Sequence, residues 1–228
     1  MRHLIHGLLV LLTFALPATA NVARYDVTLQ GVRVAEMTLT TTLTETTYDV
    51  RLMIRSEGLA GVVRRVRFES IAKGRIGQTF APDRYTETAD TGRRLSQVEM
   101  TYIKGIPEIL TYTSPRPDGA ELLNPADQSG TLDPATALFA GLRDLAVGQT
   151  CTTAFTVFDG RRRAAVTLSG DGSACTGEYR RVAGYTPEEM AERTRFALEI
   201  LYAPDGETLR VTEASVQTIY GKVRLKRR

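Results

Sequence analysis

From Tyr25 onward the chain alternates apolar and polar residues in run after run, and one stretch breaks that rhythm. Residues 131–179, TLDPATALFAGLRDLAVGQTCTTAFTVFDGRRRAAVTLSGDGSACTGEY, hold the strongest helix signature, both cysteines and the tightest turns. Such a chain is expected to be all-β and mainly antiparallel. The predicted architecture is a curved or spiral sheet, or a partly open barrel, with one short helix near 134–146 as plug and clamp.

The helix start has a mechanism. Asp133 can accept hydrogen bonds from the free N–H groups of the first turn, Pro134 follows where no N–H is needed, and Leu132 can staple back onto the helix. Leu138, Phe139, Leu142 and Leu145 then fall at spacings of three and four, which predicts a helix of about 12 residues stopped by Gly148. Gly141 inside it costs roughly 1 kcal/mol against alanine, which points to close packing on a neighbouring backbone.

After the helix, Thr152 to Phe158 and Arg163 to Ser169 read as strands joined at Asp159-Gly160, and Asp171-Gly172 turns toward Cys175. In a flat meander, Cys151 and Cys175 would lie two strands apart, about 10 Å, whereas a disulfide needs Cα atoms within roughly 7 Å. Either the sheet curls sharply here, or residues 171–175 loop back across the end of the hairpin.

The N-terminus bears on whether that bond can form. Arg2, the apolar run Leu8 to Leu16 and the small-x-small site Ala18-Thr19-Ala20 predict a signal peptide over residues 1–20, cleaved after Ala20. The run is too short to span a bilayer. The expected product is a periplasmic, monomeric chain with a single β-rich domain over 21–228, large enough for a sizeable core. Cleavage removes His3 and His6, the only histidines, and of the 29 basic residues it removes only Arg2, leaving 28 against 26 acids. A zinc site would need ligands that a histidine-free chain lacks, so Cys151 and Cys175 are expected as a disulfide, with no metal and no cofactor.

Strands are also predicted around Tyr25 to Leu29 and from Val32 to Leu43, with a slip near Ala35, and from Tyr48 to Ile54. Leu59 to Lys73 reads as one long strand with a basic face. Ser96 to Ile103 and Glu108 to Thr113 follow, then a long polar loop over 114–130 of the kind that is often mobile or functional. Thr186-Pro187-Glu188-Glu189 opens a second short helix, and strands from Phe196 onward close the chain.

Several segments carry a resemblance. LDPATALFAGLR, FDGRRR, CTGEYRRVAGY and FALEILYAPDGETLRV, with YDVTLQGVRVAEMTL and SIAKG in the first half, resemble the bacterial envelope family catalogued as domain of unknown function 3108. The resemblance implies an exported, mainly antiparallel β protein with no family catalytic residues to carry over. In style it is also similar to another exported family built as a long β-spiral and linked to cell-envelope integrity.

Residue supply argues against most chemistry. Without histidine there is no Ser-His-Asp or Cys-His set, and there is no phosphate loop, dinucleotide fingerprint or metal-ligand run. Carboxylate pairs involving Glu69 or Asp159 would serve only an envelope hydrolase, the least favoured reading, and a dyad with one of the four lysines has no support. The favoured reading is a non-enzymatic envelope protein that binds a lipid or other amphiphile, or an envelope protein, with no nucleic acid. A structural module without a small ligand is the alternative. Arg161, Arg162 and Arg163 at one turn, with Arg180 and Arg181 nearby, are the candidate contacts for phosphate or carboxylate heads. The basic tail from Lys222 to Arg228 reads as a charged edge strand.

Overall fold

The computed structural model describes residues 19–57, 65–115 and 117–228. Seven strands come first: β1 (Thr19–Leu29), β2 (Val32–Leu43), β3 (Thr47–Ser56), β4 (Arg67–Ile76), β5 (Phe80–Asp90), β6 (Leu95–Ile103) and β7 (Ile106–Tyr112). Helix α1 (Pro134–Leu142) and the two-residue β8 (Leu145–Ala146) follow. Then come β9 (Thr153–Phe158), β10 (Arg163–Gly170), β11 (Ala174–Ala183), helix α2 (Pro187–Glu192), β12 (Arg195–Asp205), β13 (Thr208–Thr218) and β14 (Gly221–Arg227).

All but β8 lie in one antiparallel path, β7-β6-β5-β4-β3-β2-β1-β14-β13-β12-β11-β10-β9, and β8 pairs with β13. The first and last strands are thus central neighbours, with Tyr25 opposite Arg227 and Leu29 opposite Val223. The two edges are β7 and β9, the strands that flank the connection carrying α1. That connection closes the seam between them. The Leu132 N–H donates to the Thr156 carbonyl (2.8 Å), the Phe158 N–H donates to the Leu132 carbonyl (2.9 Å), and the Gly130 N–H reaches the Gly105 carbonyl at the β6–β7 turn (2.9 Å).

Strand alternation places the core. In β2, Ala35, Met37, Leu39 and Thr41 point inward, and a register shift against β1 between Val27 and Thr28 matches the slip expected near Ala35. Helix α1 packs on β3, β4, β5 and β9. Its Phe139 ring lies 5.3 Å from Phe80 and 6.3 Å from Tyr48, centroid to centroid. Tyr25, Val50, Ala72, Tyr85 and Met100 beneath it are completely buried.

Several expectations need correction. The helix ends at Leu142 rather than near 146, because Arg143 turns extended and Asp144 is drawn into the sheet. Asp144 Oδ1 accepts the Val211 N–H (2.9 Å) and an Arg227 guanidinium N–H (2.7 Å), and Leu145 joins β13. Gly141 faces a side chain, not a backbone: a Cβ there would sit 4.0 Å from Leu168 Cδ1. The strand expected over Leu59 to Lys73 begins only at Arg67, and residues 58–64 lie outside the described set. Strand β5 was missing from the sequence reading. The 114–130 loop is tied down where described: Asn124 caps a 3-10 turn over Pro125–Asp127, and the Gly184 N–H donates to Glu121 (3.3 Å). The expected signal peptide lies outside the described residues except for Thr19 and Ala20, which open β1.

Cys151 and Cys175 form a disulfide with Cα atoms 6.1 Å apart. Cys175 is regular β11, opposite both Gly170 and Ile200, so residues 171–175 do not loop back. The segment before β9 crosses instead, passing over β10 at Gly170. A Cβ at that position would strike the Ala174 carbonyl and come within 3.0 Å of the Cys151 sulfur. The bond closes a 24-residue separation, for which the chain-entropy estimate is roughly 3 to 4 kcal/mol. Replacing both cysteines with serine should lower the unfolding free energy in urea by about that amount, and an unchanged midpoint would show that the crossing contributes nothing.

Candidate functional site

The two halves of the sheet are treated differently by α1. One helix face, with Ala135, Thr136, Phe139 and Leu142, is buried toward the first half. The concave face of the second half is left partly uncovered, and Val166, Leu198, Val216, Val223 and Leu225 are only half-buried there. Between Leu138 of α1 and these residues lies an open cleft of about 360 Å³. Of its lining residues, only Tyr179, Glu199 and Ser215 carry polar side-chain groups, and the last two meet at 3.5 Å. Leu198, Val216 and Val223 face one another across three paired strands and form a continuous apolar strip of floor.

The arginines named from the sequence do not line this cleft. Arg161 is buried at the β9–β10 turn, where Asp159 Oδ1 accepts the backbone N–H of Arg161 (2.9 Å) and Arg162 (2.6 Å). The neighbouring Gly160 lies against Tyr112 of edge strand β7, where a Cβ would come within 3.0 Å of the ring, a second contact across the seam. Arg162 pairs with Glu189 of α2 (2.6 Å) and lies 5.1 Å from the centre of the Tyr185 ring. Arg181 sits over both Tyr185 and Phe196 and donates to the Glu189 and Arg193 carbonyls at the end of α2. That helix carries the expected Thr186 cap and a full capping box with Glu189. Arg163 and Arg180, on the paired strands β10 and β11, meet no carboxylate among the described residues. The cluster reaches the cleft only through Tyr179, whose hydroxyl lies 2.6 Å from that of Tyr185. Burial raises both phenols, so they stay neutral.

The acids are dispersed. Glu69 is held on an exposed surface by Arg51 (3.2 Å) and Arg67 (3.3 Å), and Asp159 caps its own turn. Glu87 bonds the Tyr85 hydroxyl and is raised mainly by burial. Among the described residues no group of three or more His, Cys, Asp or Glu could hold a metal ion. A larger opening of about 560 Å³ runs along β9, where Thr150, Thr152, Thr153 and Arg143 mix with apolar Phe80, Leu132, Leu145, Phe155 and Leu168.

Sequence reasoning missed the cleft floor, because Val216 and Leu198 alternate like any core residue and only the reach of α1 decides which stretch it covers. It did find Asp133, which is fully buried and accepts the Thr136 N–H (2.9 Å) and hydroxyl (2.6 Å). The Thr136 hydroxyl in turn meets that of Tyr48 at 3.0 Å.

The family model described as "Protein of unknown function (DUF3108)" matches residues 24–176, from β1 through α1 to both cysteines, and the chain belongs to that family. No curated protein and no solved structure matches the chain. The matched span holds α1 and the seam but stops before β12, β13 and β14, which supply much of the cleft floor.

Burial pushes Asp133 up to about 6, against the lowering effect of the hydrogen bonds it accepts from Thr136. A carboxyl raised on folding binds its proton more tightly in the native state, so its contribution to stability falls as pH rises from about 4 through 6. Two units correspond to roughly 3 kcal/mol. Asp133→Asn keeps a capping oxygen but cannot titrate, and should flatten the stability profile between those pH values. Identical profiles for the variant and the parent would contradict this reading of Asp133.

Proposed function

We propose that this member of the DUF3108 family is an exported, non-enzymatic envelope protein that binds one slender apolar group, such as an acyl chain, in the cleft between α1 and strands β9–β14. The observation that supports the reading is the asymmetry of the concave face. The first half of the sheet is sealed by α1, while the second presents an equally apolar floor that α1 leaves open. An exposed apolar concavity is costly in water unless something occupies it, and its size falls within the usual range for small-molecule sites. Residue supply supports binding over catalysis, since the cleft lining contains one carboxylate and no histidine.

The energetics are adequate. Burying about eight to ten methylenes at roughly 0.8 kcal/mol each yields about 6 to 8 kcal/mol, which sets a tightest dissociation constant of about 1 to 40 µM before ordering costs weaken it. The disulfide and the predicted signal peptide fit a periplasmic location, where released acyl groups require shielding from water. A protein partner is the second reading. It is favoured by β9 being a terminal strand whose outer edge is engaged by Leu132 only near Thr156–Phe158, which leaves backbone beside the larger opening for an added strand.

Titration with a dansyl-labelled undecanoic acid tests the first reading. The unmodified protein should show saturable, blue-shifted emission at micromolar probe. Val216→Glu, which puts a charge on the floor, should weaken binding by roughly tenfold or more with a cooperative melt preserved. Absence of uptake by the parent protein, or equal affinity in the variant, would overturn the assignment.

A further inference from the structure

The hairpin tip joining β1 to β2 lies against the tip joining β13 to β14. Gln30 Nε2 donates to the Tyr220 carbonyl (2.8 Å), and the Gln30 N–H donates to the Lys222 carbonyl (3.0 Å). The paired tips present Val32, Ile219 and Tyr220 to solvent at 67%, 37% and 72% exposure. These side chains lie on two projecting turns and not on a flat patch. Positive-φ backbone at Gln30, Gly31 and Gly221 holds the turns tight. An aromatic with a polar tip beside two aliphatics is a combination suited to the boundary between headgroups and acyl chains.

The same end of the molecule gathers Arg162, Arg163, Arg180, Arg181, Arg193 and Arg195 against the carboxylates of Glu178, Glu188, Glu189 and Glu192. Continuing the β12–β13 register from Leu198 opposite Val216 sets Ile219 level with Arg195, itself opposite Arg180. Arg163, Arg181 and exposed Arg193 occupy the neighbouring strand ends. Among the described residues none of Arg163, Arg180, Arg181 and Arg193 forms an ion pair with a carboxylate, whereas Arg162 and Arg195 beside them pair with Glu189 and Glu178. Three of the arginines first considered as ligand contacts, Arg163, Arg180 and Arg181, thus join Arg193 in a rim of unpaired positive charge beside the apolar tips. Beneath the tips lies the cleft: Val216 is three residues from Ile219, and Val223 two residues from Gly221, and both line its floor.

We infer that these paired tips dock on an anionic lipid bilayer surface, with Val32, Ile219 and Tyr220 entering the interface and the arginine rim meeting the headgroups. This rests on the acyl-binding reading of the cleft and identifies the source of its ligand as a membrane. Docking in this orientation brings the floor at Val216 and Val223 next to the bilayer, so an acyl chain passes from lipid to cleft with little exposure to water.

The test is cosedimentation of the full chain with vesicles of phosphatidylcholine and phosphatidylglycerol in equal parts, beside vesicles of phosphatidylcholine alone. The protein should partition onto the anionic vesicles and be released by high salt. Tyr220→Asp combined with Val32→Asp should lower partitioning by roughly tenfold while leaving the dansyl-acid affinity and melting temperature unchanged. Val147→Asp, an equally exposed apolar site bonded to Glu207 at the far β12–β13 turn, should leave partitioning intact. Failure of the parent protein to partition, or full partitioning of the tip variant, would overturn the docking inference while leaving acyl binding standing. Loss of probe binding in the parent would instead remove the cleft reading on which docking rests.

Discussion

The Leu132 backbone bridges onto β9 in parallel with Val157, and the closure of the whole sheet depends on that contact. An antiparallel meander this wide has two edges full of unsatisfied N–H and C=O groups, which invite other chains. Here the edges β7 and β9 are brought face to face and joined by the connection between them. Gly130 reaches the β6–β7 turn, Leu132 takes the β9 edge, and Gly160 packs against the Tyr112 ring of β7. Two residues of chain past the seam, Pro134 starts α1, so the bridging segment also aims the helix into the concavity. Asp133 fixes that junction by capping α1 from a fully buried position. A buried carboxylate is an expensive way to start a helix, and its hydrogen bonds to Thr136, shared with Tyr48, are what make it tolerable.

Once α1 is aimed in this way, the difference between the two halves of the sheet follows from geometry. A nine-residue helix is only about 13 Å long, too short to cover a concave face of this width. It leans on β3, β4 and β5, where Phe139 meets the rings of Tyr48 and Phe80, and leaves the floor of β12, β13 and β14 open. Asp144, bound to Arg227 and the Val211 N–H, stops the chain from continuing as helix across that floor. The cleft is therefore a product of where the plug ends, rather than of any special residue within it.

Much of this architecture was legible from the sequence, and the misses have physical causes. The inward row of β2 and the caps at Asp133 and Thr186 are local signals, set by neighbours within four residues, and they are found where expected. Strand β5 was overlooked because its inward row includes Glu87, satisfied by the hydroxyl of Tyr85, and so lacks a clean apolar alternation. The helix was read too long because Leu145 continues its stripe, while the force that ends it comes from Arg227 and Val211, far away in sequence. The arginine cluster was found but its use was not. Whether Arg162 faces a ligand or Glu189 depends on how α2 folds back across the strand ends.

The pairing of β1 with β14 has a consequence for assembly. Each half of the sheet can form its own hairpins locally, but the central pair joins residues about 200 positions apart, as in Arg228 bound to Asp26. Until the last strand arrives, β1 is a bare edge, and a chain emerging N-terminus first holds it open throughout its passage. Completion of the sheet is thus deferred to the end of synthesis, when a single high-contact-order step unites the halves. A protein built in this way has a vulnerable interval that is one of time rather than of place.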